Sequence, residues 1–198
     1  LFSSGGAVYG NHKISKIGEE AQTNPISTYG INKLIIEKYL KFFAKKYQFD
    51  FLIVRPSNPY GPRQNFDGKQ GVISIFFKKI INGEKISIFG SGNDKKDYIY
   101  IDDLISLLFI LINNNCKGTY NLGSGLGYSI NDFLEIFKST LNLNFKINFC
   151  ETQNYDVVSF VLDNSKVLNY NKFKFTAIED GIKKTYNWIK EINEINNK

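Results

Sequence analysis

Strands and helices alternate along this sequence, and that alternation predicts an α/β fold with a parallel sheet. Two segments carry the prediction. Between Thr28 and Tyr47, Tyr29, Lys33, Ile36, Leu40, Phe43 and Tyr47 fall at spacings of three and four, the period of one helix face. From Asp50 to Arg55 the chain is continuously apolar inside its charged ends, as in a strand buried on both faces of a parallel sheet.

The remaining elements follow in order. Residues 1–4 read as the tail of a strand running into Gly5-Gly6. Asn24-Pro25 punctuates the start of the long helix. After the apolar strand, Pro56 through Pro62 predicts a loop. Val72 to Asn82 reads as a helix stopped by Gly83, and Lys85 to Phe89 as a short strand. Gly90 to Lys96 is a polar turn, and Tyr98 to Ile101 is strand-like. Asp102 is placed to cap a helix reaching about Asn114. Thr119 to Leu122 is a strand before a glycine-rich turn. Ser129 to Leu141 is a helix with Ser129 or Asn131 at its cap, and Ile178 to about Ile192 is the last helix.

Composition narrows the function. The 198 residues are 42% hydrophobic and 22% charged, enough for a packed core and unlike a disordered chain. The chain contains no Met and begins with Leu1, so the expectation is a fragment whose N-terminus lies upstream. The net charge of +6 comes from lysines scattered in runs no longer than two, with no RNA-binding or zinc signature, which argues against nucleic acid as a partner. The longest strongly apolar run, Leu104 to Ile112, is too short to span a bilayer, so no membrane partner is expected. Cys116 and Cys150 lack CxxC spacing and suit a reducing cytoplasm. His12 is the only histidine and sits in a polar, loop-like stretch, which removes His-rich metal sites and argues against a Ser-His-Asp hydrolase; no metal is expected. Acid–base chemistry here falls to Tyr, Lys, Asp or Glu.

Tyr29-Gly30-Ile31-Asn32-Lys33 is a YxxxK pair, and residues four apart share a helix face. A free phenol is a poor base at neutral pH, and an ammonium one turn away stabilises its anion. Such a Tyr can take a proton from a sugar hydroxyl as hydride leaves the same carbon. Alone the pair is a weak signal, because a solvated Lys-rich helix face supplies it by chance. Its context is ordered, however. Upstream stands Ser3-Ser4-Gly5-Gly6-Ala7-Val8-Tyr9-Gly10, and downstream Arg55-Pro56-Ser57-Asn58-Pro59-Tyr60-Gly61-Pro62-Arg63. Phe89-Gly90-Ser91-Gly92 follows, then Asp97-Tyr98-Ile99-Tyr100-Ile101-Asp102-Asp103-Leu104. The chain has 25 Lys and Arg, and its only two arginines, Arg55 and Arg63, both lie in the Pro/Gly-rich segment.

From Leu1 to about Trp188 this ordered set resembles the extended short-chain dehydrogenase/reductase family, and within it the NAD-dependent epimerases and dehydratases of the UDP-glucose 4-epimerase type. Gly90-Ser91-Gly92 lacks a third glycine and a following helix, so it is not the family's cofactor fingerprint. That fingerprint lies in the first strand–helix unit, well before YxxxK. The resemblance therefore implies the C-terminal half of a Rossmann-type doubly wound parallel sheet plus a smaller α/β substrate-binding domain. Residues 1–70, with 100–125 returning, would form the first, and 71–99 with 126–198 the second. It implies NAD as cofactor, a UDP-sugar or other nucleotide sugar as substrate, and a homodimer built on the long helix. Carried over by motif, Tyr29 is the acid/base, Lys33 its electrostatic and ribose-binding partner, Ser4 the nearest catalytic hydroxyl, and Ser57 a neighbour of the nicotinamide. Asn58, Val72, Ile88, Phe89, Lys96 and Asp156 would line the nucleotide-sugar site.

Several positions depart from the pattern. Gly5 stands where a catalytic Ser or Thr is usual, Ala7 where related sequences keep Thr, Lys96 where Arg precedes DYI, and Gln153 where an Arg is expected. Gly6 and Ala7 also supply no acid before Val8-Tyr9-Gly10, which disfavours dehydratase and decarboxylase chemistry. The expected activity is interconversion of UDP-glucose and UDP-galactose through oxidation and reduction at sugar C4. The alternatives are a nucleotide-sugar reductase using NAD(P), and a non-catalytic sugar-nucleotide-binding or interaction remnant. A chain lacking the first half of its sheet would expose apolar faces and dissolve poorly alone.

Overall fold

The computed structural model describes residues 1–12, 14–66, 70–151 and 159–196. In chain order its elements are α1 (Gly5–Tyr9), α2 (Thr28–Tyr47), β1 (Leu52–Pro56), β2 (Asn58–Tyr60), α3 (Val72–Ile81), β3 (Ile86–Phe89) and β4 (Lys96–Tyr100). They continue with α4 (Ile101–Asn113), β5 (Gly118–Leu122), β6 (Gly127–Tyr128), α5 (Ile130–Leu141), β7 (Ile147–Cys150), α6 (Ser165–Leu168) and α7 (Ile178–Asn196).

The predicted α/β class with parallel strands is what forms. β1 pairs in parallel with β5, from Leu52 opposite Gly118 to Pro56 opposite Leu122. On the other edge of β1 the strand tail at residues 1–4 lies parallel, with Ser3 donating to Val54 O at 2.8 Å and Val54 donating to Leu1 O at 2.9 Å. A second group has the order β2-β4-β6, with β2 parallel and β6 antiparallel to β4. β3 and β7 form a separate parallel pair.

Local differences from expectation have local causes. The stretch 56–62 is not all loop: Asn58–Tyr60 forms β2, because an edge strand tolerates Pro59 without its N–H. Gly5-Gly6, after the strand tail, forms the first turn of α1, where a Cβ at residue 6 would sit 2.5 Å from the Phe160 ring. Asp102 does not cap α4. Tyr100 is the N-cap, and Asp102 and Asp103 lie in the first turn, where the helix dipole favours acids. Asp103 is used elsewhere, accepting from Thr176 N at 2.8 Å and Thr176 Oγ1 at 2.9 Å. At α5 the cap is Ser129, with Asp132 completing a capping box. β6, β7 and α6 are too short for a periodic signal, and α7 runs on past Ile192 to Asn196.

Three apolar clusters hold these elements. The largest joins α3, α5 and α7 around Phe76, Phe77, Phe133 and Phe137, with Tyr98 and Tyr100 from β4. A second packs α4 on β1 and β5 through Leu104, Leu107, Leu111, Val54 and Leu122. A third, smaller one sets Val8 and Tyr9 of α1 against Ile17, Phe160 and Leu162. Among the described residues no helix is long and apolar enough to cross a membrane.

Candidate active site

The site assembles where α1, the start of α2, the end of β1 and β4 converge. Ser27 caps α2, its Oγ accepting from Gly30 N at 3.1 Å. Gly30 lets the helix approach α1 closely, since a Cβ there would lie 2.3 Å from Ala7 O. This contact sets the first turn of α2, with Tyr29, beside the Ser3–Ala7 segment. Tyr29, half-exposed at 52%, faces a cavity of about 530 Å3.

Of the residues expected at the site, Ser4, Tyr29, Ser57, Asn58, Val72 and Lys96 line this one cavity. They come from five separate segments of the chain, brought together by the fold. Ser57 is 6% exposed and its Oγ has no hydrogen-bond partner, so a buried hydroxyl stands on the cavity wall unsatisfied. Lys33 stands one turn behind Tyr29, its Nζ 5.4 Å from the Tyr29 ring centroid and donating to Phe2 O at 3.3 Å. Ile88 and Phe89 are not brought to the wall. Ile88 is 2% exposed within the largest core, and Phe89 is 55% exposed outside the cavity. Asp156 and Gln153 lie outside the described residues. Among the described residues no group of three or more His, Cys, Asp and Glu side chains is placed to hold a metal ion.

Sequence reasoning missed other wall residues. Tyr60, Tyr98 and Phe160 line the cavity. Tyr60 and Tyr98 lie inside segments already singled out, where strand alternation could have pointed them inward. Phe160 had no such signal. Its ring fills the space above Gly6. Beside Lys96, Asp97 is fully buried and accepts from Ser124 N and Oγ, Gly125 N and Leu162 N, at 2.9–3.1 Å. Burial pushes this carboxyl up while those four donors act against the shift.

Behind the cavity lies a polar cluster. Arg55 Nε donates to Glu37 Oε1 at 3.0 Å and Nη2 to Glu37 Oε2 at 2.6 Å. Arg55 Nη1 donates to the Tyr9 hydroxyl at 2.8 Å, and that hydroxyl donates to Asn121 Oδ1 at 2.9 Å. Burial alone would push the Glu37 carboxyl up. The hydrogen bonds and charge of Arg55 outweigh it and hold Glu37 below its ordinary value. Burial likewise opposes charge on Arg55, and Glu37 reverses the sign, keeping the guanidinium protonated. Burial pushes the Tyr9 phenol up against the pull of Arg55, so it remains a neutral hydroxyl.

Residues 1–123 match the NAD dependent epimerase/dehydratase family. The chain belongs to that family. Its relatives include the UDP-glucose 4-epimerase of Mycolicibacterium smegmatis, 30% identical over 95% of this chain and 61% of its own length. The dTDP-4-dehydro-6-deoxyglucose reductase of Escherichia coli is 35% identical over 92% of this chain and 58% of its own. The crystal structure of Thermotoga maritima UDP-glucose 4-epimerase with UDP-glucose superposes with a TM-score of 0.90, at 32% identity, covering 97% of this chain and 63% of that one. The chain thus spans 58–61% of the length of these two curated relatives. It is a member of the NAD dependent epimerase/dehydratase family with an α/β fold.

Proposed function

We propose that this chain is the greater part of an NAD-dependent nucleotide-sugar 4-epimerase of the UDP-glucose/UDP-galactose type. The observation that carries the reading is the convergence of Ser4, Tyr29, Ser57, Asn58 and Lys96 on one cavity with Lys33 directly behind. In this reading Tyr29 takes the proton from the sugar 4-hydroxyl and returns it when the ketone is reduced on its other face. The Lys33 ammonium balances the charge this leaves on the phenol oxygen. NAD, when bound, supplies the hydride acceptor and donor. The residues present fit it: the unpaired Ser57 hydroxyl offers a buried hydrogen bond near a nicotinamide, and Lys33 can reach a ribose. Lys96 offers a cation for the diphosphate, and Asn58 and Val72 hold the nucleotide sugar against the wall. Ser4 supplies the hydroxyl nearest to the place of Gly5, where the family's catalytic Ser or Thr is usual, since Gly5 and Ala7 carry none. Ile88 and Phe89, proposed as lining of the nucleotide-sugar site, lie off this cavity's wall, and Asp156 remains the proposed contact of the nucleotide end.

The same reading assigns residues 1–70 and 100–125 to the second half of a Rossmann-type sheet, to which β1, β5 and the strand tail at residues 1–4 belong. Residues 71–99 and 126–198 are assigned to the nucleotide-sugar-binding domain. The outer face of α2 carries an exposed ladder, Tyr39–Phe43–Tyr47, with neighbouring rings 6.3 and 5.9 Å apart, which suits a homodimer contact. Cys116 and Cys150 are free thiols, in keeping with a cytoplasmic setting.

A reductase is the second reading, favoured by the Escherichia coli relative, which is the more similar of the two curated proteins above. Incubation of the full-length protein with UDP-glucose and with dTDP-4-dehydro-6-deoxyglucose separates the two. Redox-neutral interconversion of UDP-glucose and UDP-galactose supports the epimerase. Stoichiometric consumption of reduced nicotinamide with the dTDP sugar would replace it by the reductase.

A further inference from the structure

Among the described residues, one ion pair has both partners buried: Arg55 with Glu37, at 3% and 1% exposure. Its surroundings give it a task. The buried residues of α2 are Gly30, Glu37 and Ala44, seven apart along one stripe. Gly30 and Ala44 offer no functional group, so Glu37 is the stripe's one directional contact. Apolar contacts tolerate sliding and rotation, whereas a two-pronged carboxylate–guanidinium bond fixes both.

Tyr29 and Lys33 lie eight and four residues before Glu37, about 12 and 6 Å along the helix axis. On the other side, Arg55 is followed by Pro56 and Ser57, which line the cavity. The third arm of Arg55 holds Tyr9, at the end of the α1 segment whose Ser4 and Ala7 also line the cavity. Asn121 of β5 closes the cluster, its Nδ2 donating to Ile17 O at 2.8 Å. One guanidinium therefore ties together the three cavity segments that carry Ser4, Tyr29 and Ser57.

We infer that Glu37, Arg55 and Tyr9 are positioning residues, whose network sets Tyr29 and Lys33 at their working distance from the Ser4 and Ser57 walls. None of the three touches the cavity. The inference rests on Tyr29 being the acid/base. A displacement of about 1 Å in such a group costs about a hundredfold in rate.

The test compares Glu37→Gln and Arg55→Lys with Ala44→Gly in the full-length protein, measuring kcat, KM and Tm for each. Glu37→Gln keeps the volume and loses the charge. Arg55→Lys keeps the charge and loses the fork. Ala44→Gly weakens the same stripe without touching the network. The expected result is a kcat lowered about tenfold or more in both network variants with KM nearly unchanged, by the same displacement argument. Ala44→Gly should lower Tm and leave kcat per folded molecule intact. Network variants that behave like Ala44→Gly would overturn the inference. If Glu37→Gln fails to fold, Arg55→Lys decides alone. If the unsubstituted protein turns over no nucleotide sugar, the acid/base reading fails by itself. Crystal structures then decide the positional claim: a Tyr29 hydroxyl that stays within about 0.5 Å of its place relative to Ser57 Oγ in the variants would overturn it.

Discussion

The two longest helices are nearly equal in length and are held in opposite ways. α7 seats an apolar stripe, Ile178, Ile182 and Ile189, in the aromatic core, where Phe77 and Phe137 approach to 4.5 Å and Phe77 and Tyr186 to 5.3 Å. α2 buries Gly30, Glu37 and Ala44 and turns Tyr39, Phe42 and Tyr47 outward. Burial by area stabilises without specifying direction. A close glycine approach and a forked ion pair specify position. The helix that carries Tyr29 and Lys33 is the one held by position.

That contrast can be broken at either helix. Glu37→Ala leaves Arg55 buried without its partner and should cost about 3–5 kcal/mol, read by urea unfolding. Ile182→Ala, in a side chain with no exposure, should cost about 2–5 kcal/mol through lost apolar burial and the cavity left behind. The two losses differ in their response to acid. Glu37 is held below its unfolded value, so its contribution is present above the ordinary carboxylate range and is lost as pH falls through its lower folded value. The stability gap between the unsubstituted protein and Glu37→Gln should therefore narrow on acidification. The gap for Ile182→Ala should not follow that titration.

Smaller changes sharpen the contrast. Ser129→Ala removes one arm of the α5 capping box and should cost about 1 kcal/mol, with turnover per folded molecule unchanged. Phe42→Ser, on the outward face of α2, should change unfolding free energy by no more than about 0.5 kcal/mol. Its effect should appear instead in sedimentation, as weaker self-association.

The sequence was most legible where one local rule decided the outcome. Thr28–Tyr47 is helical over the expected span because its spacings of three and four, after Asn24-Pro25, decide it. Of the two expected α5 caps, Ser129 and Asn131, Ser129 is the one that forms. Motif order singled out Ser4, Tyr29, Ser57, Asn58, Val72 and Lys96, and the fold brings these six to one cavity, the candidate site. β2 and β6 were not legible, because strands of two or three residues exist only through partners distant in the chain. The Glu37–Arg55–Tyr9–Asn121 cluster escaped for a related reason. Its members are separated by 18 to 112 residues, and a charged residue on a Lys-rich helix reads as solvated until its partner is seen. Two signals were available: Glu37 stands one turn beyond Lys33 on the same face, and Arg55 is one of two arginines in a lysine-rich chain.

The central claim is that Tyr29 moves the proton. It is tested most directly by following the interconversion of UDP-glucose and UDP-galactose by the full-length protein and its Tyr29→Phe variant, each scaled to folded protein by its unfolding transition. Tyr29 is half-exposed, so the variant should fold with an unchanged Tm. The account predicts a kcat lowered by about 10²–10⁴-fold with bound nicotinamide still present. A Tyr29→Phe protein that interconverts the sugars at the unsubstituted rate would contradict it.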